Sequence, residues 1–258
     1  MESAELVSTS GEHAYISLTL DAGTWKALSN IFKQVGDEIT LFRDGDRPAL
    51  YQMDKGHTFM LVGKLSAEVE GEAEGVVFTD ELYNFVRKLD DSTPVIYKFK
   101  LLRDDECEVS VHAKGQGVET FRREYPTVSK PFSIEYDCSA ECSTNVKTLK
   151  QLFSLFTDIA TIKIVIDGGR LTVWSKQDGE ETKVSLPVKA TGSDSYFYTG
   201  YLVAKIVKHL PTTAMAKINL FKPKSRSSDR ILGITAYYNK HELMFLIAPR
   251  IVEEDQRW

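Results

Sequence analysis

The sequence lacks the features that would assign it at once to several large classes of protein. No apolar run approaches the roughly 20 residues needed to span a bilayer, so we expect no membrane partner. The first twelve residues carry acidic and small polar side chains, unlike the basic and apolar segments of a secretory signal. Three cysteines, Cys107, Cys138 and Cys142, are odd in number and unlike a disulfide framework. A reducing, intracellular compartment is therefore expected.

Sequence patterns of catalysis and metal binding are also missing. Cys138 and Cys142 have no second ligand pair at zinc spacing. The five histidines are scattered along the chain, and there is no Walker lysine or glycine-rich strand-to-helix fingerprint. Segments 44–46 and 167–169 have the composition of hairpin turns rather than of calcium loops. We therefore expect no catalytic residue, no metal ion and no cofactor.

The feature that is present is an internal repeat. Two pairs of segments align at nearly the same offset: residues 24–35 with 145–156 at 121, and residues 78–88 with 198–208 at 120. Apolar positions coincide at helical spacing, so that Leu28 falls on Leu149 and Val86 falls on Ile206. The chain is therefore predicted to hold two copies of one domain, with two helices in each copy.

Alternating apolar residues predict strands between these helices. Residues 38–53 and 161–175 are each typical of a hairpin, because glycine at the turn adopts positive φ readily. An α+β fold follows, with two helices on one face of an antiparallel sheet in each copy. We place the domains at residues 1–124 and 133–258, with a proline-containing connector at 125–132.

Basic side chains are concentrated on the four predicted helices. These helices hold Lys26, Lys33, Arg87, Lys88, Lys147, Lys150, Lys205 and Lys208. Their only acids are Asp80 and Glu81, so eight bases and two acids give +6, and the formal charge of −5 leaves −11 for the remainder. Mobile lysines suit a surface that holds phosphates without reading bases. The alternative interpretation is that these lysines are simply solvated.

Two further segments have a distinctive sequence. Leu246-Ile247-Ala248-Pro249-Arg250-Ile251 is followed by Glu253-Glu254-Asp255, and Met53-Asp54-Lys55-Gly56-His57 follows the first hairpin. Both resemble segments of the family of proliferating cell nuclear antigen, the DNA sliding clamp of eukaryotes, archaea and some viruses. The duplication, the two helices per copy and the chain length agree with that family. The resemblance covers nearly the whole chain and is weak at residues 63–75 and 114–132.

The resemblance implies a homotrimeric ring and a role as a polymerase processivity factor without enzymatic activity. Three subunits would close head to tail, with residues 117–123 of one subunit pairing with residues 182–187 of the next. The eight basic side chains would face duplex DNA of any sequence. DNA polymerase, a clamp loader and other proteins with a clamp-binding motif would be the partners. The compartment would be the nucleus in a eukaryote or virus and the cytoplasm in an archaeon.

The resemblance also implies a pocket that receives a short helical turn of these partners. The matching positions are Met53, His57, Met60, Tyr125, Pro126, Val128, Leu246, Ile247, Ala248, Pro249 and Ile251. Methionines suit such a pocket because they repack around different partners.

Three alternatives stay open at this level. A subunit of a checkpoint-type heterotrimeric clamp would share the fold, and so would a viral processivity factor that acts as a monomer or dimer. A small two-domain enzyme is a third class, although the sequence offers no catalytic constellation for it.

Overall fold

The computed structural model describes residues 14–102, 106–115, 117–126, 135–177, 179–224 and 229–252. The first half contains β1 (Tyr15–Asp21), α1 (Ala22–Phe32), β2 (Glu38–Asp44), β3 (Arg47–Met53), β4 (Phe59–Lys64), β5 (Glu68–Gly71), β6 (Gly75–Phe78), α2 (Thr79–Val86), β7 (Pro94–Leu101), β8 (Glu106–Ala113) and β9 (Gly117–Glu124). The second half contains β10 (Tyr136–Asn145), α3 (Val146–Phe153), β11 (Ile162–Asp167), β12 (Arg170–Gln177), β13 (Glu180–Pro187), β14 (Lys189–Gly192), β15 (Asp194–Tyr198), α4 (Gly200–His209), β16 (Met215–Pro223), β17 (Ile231–Tyr238) and β18 (His241–Ile247). A single 3-10 turn, Ser154–Phe156, extends α3.

The two halves repeat the same order of elements and the same strand pairing. In the first half β1 lies between β5 and β7, and in the second half β10 lies between β14 and β16. The runs β7-β8-β9 and β16-β17-β18 correspond, as do β6-β2-β3-β4 and β15-β11-β12-β13. The prediction of a duplicated α+β fold with two helices on antiparallel sheet in each copy is confirmed. The predicted connector at 125–132 lies largely outside the described residues, so the domain limits stay a prediction.

One sheet of nine strands joins the halves. Strand β18 of the second half pairs antiparallel with β4 of the first half, with Leu246 opposite Met60 and Ile247 opposite Phe59. The five-stranded sheet ends at β9, and the four-stranded sheet ends at β13. The seam between the halves is therefore a continuous backbone ladder rather than a contact of side chains alone.

Equivalent polar residues cap the first helix of each half. An Asp21 Oδ1 accepts the Thr24 N–H at 2.7 Å, and Asn145 Oδ1 accepts the Thr148 N–H at 2.7 Å. Both residues end a strand in extended conformation, so the side chain satisfies an N–H that the helix itself leaves free. Asp21 and Asn145 therefore mark the same position in the two copies.

These caps correct the offset of the repeat. From Asp21 to Asn145 the offset is 124, so the predicted 121 is wrong by three residues and Trp25 corresponds to Leu149. The second helices begin at Thr79 and Gly200, which gives an offset of 121 rather than 120. A slip of three residues keeps apolar side chains on one helix face, and for that reason periodicity alone did not fix the register.

Apolar faces of the helices pack onto the sheets in one main core. Trp25 is completely buried, and its Nε1–H donates to the Val95 carbonyl at 3.3 Å. The Tyr97 hydroxyl donates to the Val76 carbonyl at 2.8 Å and accepts the Phe78 N–H at 3.1 Å. Burial raises the pKa of Tyr97 well above its ordinary value, so the hydroxyl stays a donor. These contacts fix α1 and the start of α2 against the sheet.

Candidate nucleic-acid face and partner cavity

The basic side chains of the first half are engaged by neighbouring acceptors. Lys26 Nζ lies 2.7 Å from Asp91 Oδ1 and donates to the Leu89 carbonyl at 2.6 Å. Lys33 Nζ lies 2.8 Å from Asp80 Oδ1. Their side chains are only 25% and 29% exposed. These two lysines therefore connect α1 to residues at both ends of α2.

Lys33 also contacts an aromatic ring. Its Nζ lies 4.0 Å from the centroid of the Tyr83 ring, within cation–π range. Arg87 and Lys88, in contrast, are exposed at the end of α2. The first half thus offers DNA two exposed cations beside two that are already paired with carboxylates.

The basic side chains of the second half have no carboxylate partner among the described residues. Lys147, Lys205 and Lys208 are exposed. Lys150 is half-buried and donates to Thr212 Oγ1 at 3.2 Å, and burial lowers its pKa. Burial also lowers the pKa of His209, and the charges of Lys208, Lys150 and Lys205 lower it further. The helices α3 and α4 therefore form a surface of uncompensated positive charge.

A cavity of ≈ 450 Å³ opens on the outer side of the nine-stranded sheet. It is lined by Met53, His57, Thr58, Phe59, Met60, Tyr196, Pro223, Asp229, Ile231, Leu246, Ala248, Pro249, Arg250 and Ile251. Met60 and Leu246 face each other across the seam and belong, with Tyr51 and Phe221, to a small apolar cluster separate from the main core. The cavity floor is thus built from both halves of the chain.

A tight turn shapes one side of the cavity. Asp54 accepts the backbone N–H groups of Gly56, Thr58 and Phe59 at 3.0, 2.6 and 2.7 Å. These bonds hold His57 at φ 54°, a left-handed conformation that non-glycine residues rarely adopt. The Met-Asp-Lys-Gly-His segment therefore has a structural reason for its acid: the carboxylate organises the turn that presents the histidine.

The segment after β18 forms the other side. Its Ala248 N–H donates to the Thr58 carbonyl at 2.9 Å, and its Arg250 N–H donates to the Phe197 carbonyl at 2.9 Å. These bonds anchor the backbone while the Ile251 side chain remains 96% exposed. An apolar side chain of that size held at the rim of an apolar cavity is a contact surface without a partner inside the described part of the chain.

Several predicted pocket residues line this cavity, and others do not. Met53, His57, Met60, Leu246, Ala248, Pro249 and Ile251 do so. Ile247 is completely buried in the main core, because alternation along β18 turns it to the face opposite Leu246; its assignment to the pocket is wrong. Tyr125 packs on Phe99 at 5.9 Å between ring centroids, and half-buried Pro126 does not line the cavity. Val128 lies outside the described residues.

Sequence reasoning missed part of the lining. Tyr196, Ile231 and Asp229 come from β15, β17 and the residues before β17. They reach the cavity through strand pairing between distant segments, which periodicity along one segment does not reveal. The charged residues Asp229 and Arg250 add polar positions to an otherwise mainly apolar wall.

Two sheet edges are a further feature of the described structure. Strand β9 pairs with β8 and ends the five-stranded sheet, and strand β13 pairs with β12 and ends the four-stranded sheet. Val118 on β9 is 58% exposed. By the repeat, β9 corresponds to β18 and β13 corresponds to β4, and these two counterparts pair with each other inside the chain.

Comparison with solved structures places this architecture. The chain superposes on *A. fulgidus* PCNA bound to the C-terminal region of FEN-1 with a TM-score of 0.76 and 12% identity, covering 93% of this chain and 100% of that one. The fold is that of the PCNA sliding clamps. PCNA from *Entamoeba histolytica* gives a TM-score of 0.72 at 14% identity, covering 93% and 100% of the two chains. In the PCNA2–PCNA3 complex of *Sulfolobus tokodaii* the values are 0.72 and 16%, with coverage of 91% and 99%.

Sequence comparisons do not extend this likeness. No family model and no curated protein matches the chain. Within the described residues, no helix is long and apolar enough to cross a membrane, and no group of His, Cys, Asp and Glu side chains is arranged to hold a metal ion.

Proposed function

We propose that the chain is a subunit of a DNA sliding clamp, a ring that encircles duplex DNA and holds DNA enzymes on it. The observation that carries the proposal is the relation between the two sheet edges and the internal seam. The ladder β18·β4 joins two halves of one chain, and the edges β9 and β13 are the repeat equivalents of those strands. Pairing β9 of one subunit with β13 of the next repeats the same joint between chains.

Such a contact is heterologous, because each subunit offers one edge and receives the other. Contacts of this kind close into a ring when the rotation between neighbours fits. Closure also removes two exposed edges, which would otherwise pair with other proteins. The resemblance to sliding clamps supports three copies per ring.

The internal seam also gives a register for the proposed joint. Met244 lies opposite Val62 in β18·β4. Following the ladders of the repeat, Met244 corresponds to Val118, since each lies across from the residue preceding an equivalent alanine in the adjacent strand, and Val62 corresponds to Lys183. Val118 of one subunit is thus expected to lie opposite Lys183 of the next.

The cavity supports the recruitment part of the proposal. Its apolar floor of Met60 and Leu246 and its exposed rim residue Ile251 fit a peptide with aliphatic and aromatic anchors. One of the similar solved structures is a PCNA bound to the C-terminal region of FEN-1. We extend that kind of partner, a short segment of a DNA enzyme such as a polymerase, to this chain.

Light scattering tests the ring and its register together. The parent chain should have the mass of a trimer at micromolar concentration. Val118→Lys should weaken assembly, because two lysines then face each other and like charges directly opposite destabilise a strand pair. Val118→Glu removes the same apolar surface but places a carboxylate opposite Lys183, so it should assemble better than Val118→Lys. A stable monomeric parent would refute the ring, and equal assembly of the two variants would refute the register.

A second experiment tests the DNA function. The assembled protein should remain on circular duplex after loading, should slide off when the circle is cut, and should stimulate processive synthesis. Retention on cut DNA, or dependence on base sequence, would indicate a site-specific binder instead.

A further inference from the structure

We infer that the two halves of the chain contribute unequally to DNA binding: α3 and α4 bind the phosphates, whereas Lys26 and Lys33 fasten α1 to α2. This inference rests on the proposed clamp function. It goes beyond that function because the repeat alone predicts six equivalent helix pairs around the ring.

The corrected offsets show where the halves differ. Counting 124 from the first helix, Lys26 corresponds to Lys150, and counting 121 from the second, Asp91 corresponds to Thr212. The ion pair Lys26–Asp91 in the first half is therefore replaced by the bond from Lys150 Nζ to the neutral Thr212 hydroxyl. The same contact persists, but its negative charge is gone.

Every other carboxylate of the first helix pair is also replaced. Asp80, Glu81, Asp90 and Asp91 correspond to Tyr201, Leu202, Pro211 and Thr212. Residues 22–33 and 79–91 carry four bases and four acids and sum to zero. Residues 146–157 and 200–212 carry four bases and no acid and sum to +4. The repeat has thus kept its basic residues in both halves and its acids in one.

The contacts give the two sets of lysines different tasks. Lys26 and Lys33 already bind groups at the two ends of α2, so moving them to a phosphate would break existing bonds. Lys147, Lys205 and Lys208 are exposed and have no carboxylate partner within the described residues. Their field, with that of Lys150, is strong enough to lower the pKa of the buried His209 further. A phosphate would relieve that repulsion, because it brings the missing negative charge.

A ring built in this way would alternate neutral and positive helix pairs around the hole. DNA phosphates would therefore be drawn to three separate sectors rather than to a uniform lining. Attraction of this kind falls with salt in proportion to the number of phosphates neutralised, by about 0.9 in log–log slope for each one.

The test compares two double variants of the assembled ring. One is Lys205→Gln with Lys208→Gln, and the other is Lys26→Gln with Lys33→Gln. Binding of fluorescent duplex DNA is measured across a range of salt concentrations. The first variant should reduce the salt slope by about 1 to 2 and leave the melting temperature unchanged. The second should leave the slope unchanged and lower the melting temperature, because it releases α1 from both ends of α2.

Each other outcome has a definite meaning. Equal reductions of slope by the two variants, a reduction by the Lys26 and Lys33 variant alone, or no reduction by either would each overturn the inferred asymmetry while leaving the clamp function intact. A parent ring without salt-dependent binding to duplex DNA would overturn the clamp function itself. Light scattering on both variants confirms that the comparison is made between assembled rings.

Discussion

Truncation of Ile251 gives a sharp test of the partner cavity, because this side chain costs the free protein almost nothing to lose. It is 96% exposed, so Ile251→Ala should leave the free energy of unfolding within about 0.5 kcal/mol of the parent. If a peptide covers the side chain, the variant loses burial of three carbon groups. At about 0.8 kcal/mol for each buried carbon group, the upper limit is about 2.4 kcal/mol. That limit corresponds to an affinity about 50-fold weaker.

Isothermal titration with a short peptide that carries aliphatic and aromatic anchors measures this loss, and thermal unfolding measures stability in parallel. Ile96→Ala is the matched control, since Ile96 is also an exposed aliphatic residue but lies on β7 and does not line the cavity. It should bind the peptide as tightly as the parent. Unchanged affinity of Ile251→Ala would refute the placement of the peptide, and an equal loss in Ile96→Ala would show that the loss is not local.

Three further predictions concern stability. Burial lowers the pKa of His241, whose Nδ1 accepts the Ser66 N–H at 3.1 Å; the unfolded chain therefore takes up a proton first as the pH falls below 6.5, and the free energy of unfolding should decrease there by pH-dependent denaturation, but less so in His241→Gln, which keeps an acceptor and cannot be charged. Asn145→Ala removes the cap of α3 and should cost about 0.5–2 kcal/mol in urea unfolding, whereas Asn145→Asp should be nearly neutral. Gly200→Ala should lower the melting temperature, because its Cβ would lie 2.6 Å from the Ile159 carbonyl oxygen, and a melting temperature equal to the parent's would show that the backbone there yields easily.

Sequence patterns predicted the fold well because the fold depends on short-range periodicity. Two helices per copy, hairpins at 38–53 and 161–175 and the duplication itself all follow from spacing along one segment. The exact match between copies did not, since a slip of three residues leaves Leu28 and Leu149 on the same helix face. Polar caps at Asp21 and Asn145 carried the missing signal, because only one residue per helix can hold that position.

The candidate sites show a similar division. Leu246 and Met60 were predicted from the resemblance, but their neighbour Ile247 was included although a strand turns adjacent side chains to opposite faces. The charge count of the helices stopped before Asp90 and Asp91, and so it concealed the ion pair that neutralises Lys26. Partners of a side chain on a different element lie beyond the reach of a count along one helix.

The seam between β18 and β4 has a mechanical consequence once the same ladder is considered between chains. Inside one subunit the two strands are tethered, so they meet at an effective concentration on the order of millimolar, whatever the concentration of protein. Between subunits β9 and β13 meet only at the bulk concentration. Of six comparable joints in a trimer, three would therefore be permanent and three would be reversible. Dilution, or any protein that opens the ring, should separate it at β9·β13 and leave each subunit whole.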